Sequence, residues 1–86
     1  MKNETSYILQ TEDEDRTITI HPVNLHVAGV DYSTGVFNLK EGAVGLGDIV
    51  FDEDMNEWEY TGIEGLMYEE AEKIALFIKR HNNDNE

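Results

Sequence analysis

Asp52, Asp54 and Asn56 stand at alternate positions, the spacing of the first three ligands in a helix–loop–helix calcium site. The chemistry then fails. Glu57 occupies the position where the loop needs glycine to turn, and Ile63 the position where a bidentate glutamate belongs. His21 and His26 are five residues apart in strand-like sequence, which sends them to opposite faces or to either side of a corner, and His81 is remote. With no cysteine in the chain, neither zinc ligation nor thiolate chemistry has a local basis. Gly42, Gly45 and Gly47 superficially resemble a phosphate-binding loop, but no Lys-Ser/Thr follows, and strand-like Asp48 to Phe51 comes next instead of a helix. Ser6 and Ser33, the only serines, lie in no nucleophile motif. The sequence therefore predicts a non-enzyme, with no catalytic residue, metal or cofactor.

What remains is charge. Nineteen acids oppose six bases, for a net charge of −13, and between Glu41 and Glu72 eleven carboxylates occur without one base. Such a field repels nucleic-acid phosphates and anionic lipid, and attracts a basic protein. Direct nucleic-acid and membrane contact are accordingly not expected. Trp58, Tyr60 and Tyr68 are interleaved with the acids, so the expected partner-binding surface comprises Asp52, Glu53, Asp54, Glu57, Glu59, Glu69 and Glu72. Leu76 joins it as an apolar residue among charged ones, a contact through which the chain would form a homodimer. Two functions fit: a small acidic protein-interaction module or accessory subunit with a basic partner, or a nucleic-acid mimic that occupies the phosphate contacts of a DNA- or RNA-binding protein such as a defence nuclease.

The elements that must position these residues belong to one domain, because 86 residues leave too little apolar surface for a second core. No apolar run is long enough to span a membrane, and the N-terminus lacks the pattern of a signal peptide, so the expected setting is cytoplasmic. The ends, 1–4 and 82–86, are expected to fray.

Alternation predicts strands over 5–11, with Tyr7 and Leu9 on one face and Ile8 on the other, and over 17–21, with Ile18 and Ile20 on one side; Phe37 and Leu39 point inward from a later strand. Across Pro22 the apolar parity shifts from even to odd, to Val23, Leu25 and Val27, implying a bulge, a corner or a break. Asp31 to Gly35 carries turn chemistry. Strands follow at 36–40, 48–52 and 57–60, with an irregular glycine-punctuated connection between the first two and an acidic loop closing the last hairpin. Met67, Ala71, Ile74, Ala75 and Ile78 form one helical stripe, flanked by acids in the first turn, bases in the last and a Glu69–Lys73 pair. The fold class is α+β: five or six short antiparallel strands, as a curved sheet or small barrel, covered by one C-terminal helix.

Overall fold

The computed structural model describes residues 3–52, 56–62 and 65–84. Five strands, β1 (Thr5–Gln10), β2 (Asp15–Val27), β3 (Val30–Glu41), β4 (Val44–Phe51) and β5 (Trp58–Tyr60), precede one helix, α1 (Tyr68–Asp84). The strands pair in chain order and antiparallel throughout, forming a curled half-barrel on which the helix packs. The expected class is thus the observed one, although β2 and β3, at 13 and 12 residues, are long instead of short. No helix among the described residues is long and apolar enough to cross a membrane.

Period-two patterning supplies the sheet's half of the core. Leu9, Ile18, Ile20, Phe37, Leu39, Ile49 and Phe51 are buried, each at the parity that faces the helix. The Phe37 and Phe51 rings meet edge to face at 5.7 Å, an arrangement favoured by the ring quadrupoles. The helix contributes Ala71, Ile74, Ala75 and Ile78, all essentially without solvent contact. Half-buried Phe77 lies against Tyr7 of β1 at 4.8 Å.

Met67 departs from the expected stripe. It is exposed, because the helix begins one residue later and Met67 serves as its N-cap. Met67 has no capping side chain, but the Glu70 carboxylate accepts the Met67 N–H at 2.8 Å. This is one arm of a capping box, and it satisfies a backbone donor that would otherwise be orphaned. At the other end the helix backbone continues through Asn82 and Asn83 to Asp84. Lys79 and Arg80 therefore precede the last turn. Glu69 makes no ion pair with Lys73 among the described residues.

The connections differ from expectation in physically informative ways. The turn between β2 and β3 is the two-residue Ala28–Gly29, with φ of 53° and 80°. Two positive φ values are what a tight hairpin needs to match the strand twist, and alanine tolerates one poorly. Asp31 to Gly35, expected as a turn, is strand. Its turn-forming residues instead build a bulge, where the register slips from Val23↔Val36 to Asn24↔Ser33. There the Thr34 hydroxyl donates to the Val23 carbonyl at 2.6 Å and accepts the Val36 N–H at 3.2 Å, standing in for the lost ladder bonds. The glycine-rich connection is a tight turn at Gly42–Ala43 followed directly by β4, with a second bulge that turns Leu46 into the core. Gly47, at φ 107°, lies against Gly62; a Cβ there would sit 2.5 Å from the Gly62 Cα.

The helix stripe gives the first test. Ile74→Ala removes a fully buried side chain where sheet and helix meet, and should cost about 2–4 kcal/mol through lost transfer energy plus the cavity left behind. Urea titration measures it. A loss below about half a kcal/mol would show that α1 does not cover the core.

Candidate protein-binding surface

The surface expected from the sequence is distributed over β5, the hairpin loop before it and the exposed side of α1. Asp52, Glu57, Glu59, Glu69, Glu72 and Leu76 are all exposed, whereas Glu53 and Asp54 lie outside the described residues. Among the described residues no cation pairs with Asp52, Glu57, Glu59, Glu69 or Glu72. Asp52 instead serves its own loop. Its carboxylate accepts the N–H groups of Asn56 and Glu57 at 2.8 and 3.3 Å, and its N–H donates to the Glu57 carbonyl at 3.1 Å. These bonds close the connection between β4 and β5. Leu76 is exposed on the helix side bearing Glu69, Glu72, Lys73 and Arg80.

Beside these acids lies a groove of about 350 Å³, lined by Trp58, Glu59, Tyr60, Gly62, Leu66 and Tyr68. The pairing Phe51↔Trp58 and Ile49↔Tyr60 puts both β5 aromatics at the edge of the core, half-buried. Trp58 stacks on Tyr68 of the first helical turn, with ring centroids 5.5 Å apart and planes 27° from parallel. Tyr68 itself is 71% exposed, so its ring is presented to solvent instead of being absorbed into the core. The Tyr60 hydroxyl donates to the Leu46 carbonyl. Burial raises the pKa of this phenol above its ordinary value, an effect the nearby Arg16 charge opposes.

The residue that positions the groove is Arg16, which the sequence did not single out. From β2 it reaches three separate segments. Its Nε and Nη2 donate to the two oxygens of Glu41 at 2.9 and 2.7 Å, a bidentate pair. Nη2 also donates to the Gly65 carbonyl at 3.0 Å, and Nη1 lies 3.7 Å from Glu70. Glu70 is the same carboxylate that caps the helix. One guanidinium thus ties the end of β3, the segment entering α1 and the first helical turn to β2. Its hydrogen bond to Glu41 holds the guanidinium above its ordinary pKa and the carboxyl below its own. The acids between Glu41 and Glu72 are base-free in sequence but not in space.

The histidines take local partners. His21 lies 3.4 Å from Glu4, and His26 Nδ1 lies 2.6 Å from Asp31. Among the described residues no three His, Asp or Glu side chains gather as metal ligands would. No family model matches this chain, and neither a curated protein nor a solved structure matches it significantly.

Replacing Arg16 by Met should cost about 1–2 kcal/mol, above an exposed ion pair because three segments lose a charged hydrogen-bond donor. The pH dependence has a definite sign. Glu41's folded pKa lies below its unfolded value near 4.5, so the stabilisation is complete above that value and disappears as pH falls through the folded pKa. The gap in stability between wild type and Arg16→Met should therefore narrow on acidification below about pH 4.5. A gap that stays constant from about pH 7 to about pH 2.5 in denaturant titrations would show that Arg16 acts by packing alone.

Proposed function

We propose that this chain is a small non-catalytic interaction module that binds a basic protein partner, with the β5–α1 groove as the point of contact. The observation that carries the reading is the stack of half-buried Trp58 on exposed Tyr68 beside Glu59, within a set of carboxylates that pair with no cation among the described residues. An aromatic face next to a carboxylate suits the aliphatic stem and charged head of an arginine or lysine, through cation–π attraction on one side and an ion pair on the other. The wider acidic field adds long-range steering, which raises the association rate more than the final affinity. The groove is large enough to admit one inserted side chain.

Trp58 is the chain's single tryptophan, so its fluorescence reads the groove directly. Titration with an arginine- and lysine-rich peptide at moderate salt should give a saturable change. The double substitution Glu59→Gln/Tyr68→Ala should weaken binding at least about fivefold, and raising salt should weaken it further by screening. The nucleic-acid-mimic alternative needs carboxylates but no aromatic groove. Unchanged affinity in a Tyr68→Ala variant would favour that alternative, and absence of any saturable change would contradict the groove as a basic-partner site.

A further inference from the structure

Most of the carboxylates are excluded from one part of the molecule. Between Arg16 and Lys40 the only acid is Asp31, so eighteen of the nineteen acids lie elsewhere. This stretch is the β2–β3 hairpin, and its distal half leaves the body of the fold. β1 pairs with β2 only as far as Ile20, and β4 pairs with β3 only from Val36 onward. Beyond the Val23↔Val36 rung the ribbon continues alone for four residues of β2, about 13 Å. The molecule is correspondingly elongated, at 46 × 26 × 23 Å, with a radius of gyration of 12.9 Å against about 12 Å for a compact chain of this length.

The ribbon is two-faced. Leu25 is paired with Tyr32 and Val27 with Val30, so these four side chains share one face. Asn24 with Ser33, and His26 with Asp31, occupy the other. The apolar four are 47–55% exposed, and none of the described residues covers them. An isolated two-stranded ribbon is marginal in water, and presenting its apolar side to solvent makes it more so. Here the Thr34-bridged bulge and the tight Ala28–Gly29 turn hold the ribbon in shape.

We infer that the apolar face of this arm packs against the same face of a second copy of the chain, arm on arm about a two-fold axis. Charge confines contact between two copies to this arm. Contact through the acidic body would set two strongly negative surfaces together, whereas arm-to-arm contact joins nearly neutral ribbons and leaves the bodies at opposite ends. The surface is also self-complementary: it consists of branched aliphatic side chains and one aromatic, with no charge of its own to desolvate, as an isologous contact requires. Two ribbons stacked about 10 Å apart interleave these side chains. The patch is smaller than a standard interface of about 800 Å² per partner, so the dimer is a weak, concentration-dependent one. The inference is independent of the groove on β5 and α1.

Sedimentation equilibrium across concentration tests it on the full chain. The wild type should move from 9.8 kDa towards twice that mass between micromolar and millimolar concentration. Val27→Asp should weaken association at least about tenfold, since a desolvated charge enters the contact. Val27→Thr/Val30→Thr, which keeps β-branched residues in the strand, should do likewise with an unchanged circular dichroism spectrum. Leu76→Lys, on the far-off helix surface, should leave association intact. The proposal is overturned if the wild type remains monomeric at millimolar concentration, if the arm variants associate as well as wild type, or if Leu76→Lys alone abolishes the dimer. It is equally overturned if the arm variants lose basic-peptide binding while the wild type never dimerises, since the arm would then serve that partner.

Discussion

Among the described residues the first and last strands of this sheet form no ladder with each other, and a curled sheet left open exposes the apolar residues of its inner face. Covering that face is the constraint on which the rest of the structure depends. The helix supplies the cover with four small or branched residues, Ala71, Ile74, Ala75 and Ile78, each with essentially no exposure. Alanine at two of these positions lets the helix approach closely, and isoleucine at the others fills the space between strands. The helix touches the two edge strands, β1 and β5, so it bridges the gap that sheet hydrogen bonds leave unclosed.

A helix docked only by an apolar stripe can slide and rotate at modest cost. Arg16 removes that freedom. It fixes the helix start to β2 through Glu70, fixes the entering segment through the Gly65 carbonyl, and holds Glu41 at the same time. Since Tyr68 belongs to the first helical turn and Trp58 to β5, the register of their stack follows from this anchoring. A base that is scarce in the composition is thus placed where several acids converge, and the carboxylates of Glu59, Glu69 and Glu72 on β5 and α1 remain exposed.

Much of this was legible from local pattern. Period-two alternation located Phe37 and Leu39 in the core and put Ile18 with Ile20, and Leu9 with Tyr7, on shared faces, and the 3.6-residue period identified Ala71, Ile74, Ala75 and Ile78. The last hairpin put Trp58 and Tyr60 on one face but left open whether Ile49 and Phe51 or Val50 lay across from them; the register selects Phe51 and Ile49. The parity shift at Pro22 was visible, but its meaning was not. β2 runs unbroken through it with Pro22 buried, the bulge falls on β3, and the even-numbered set gives way to an apolar set on the other face. Asp31 to Gly35 misled because residues that favour turns also favour bulges. Arg16 gave no local signal, since its partners Glu41 and Gly65 lie 25 and 49 residues away. Met67 continued the periodic stripe by chance of spacing, and only the position of the cap shows that it precedes the helix.

The resulting account separates two surfaces by charge: an acidic, aromatic-lined groove where β5 meets α1, and a nearly neutral apolar arm at the far end of the β2–β3 hairpin. Backbone amide NMR spectra recorded during addition of an arginine- and lysine-rich peptide, at a fixed low protein concentration, test that separation most directly. The account predicts shifts concentrated at Trp58 to Tyr60 and Leu66 to Glu70, with the amides of Asn24 to Ser33 unmoved. Shifts centred on the arm, with the groove unchanged, would contradict it.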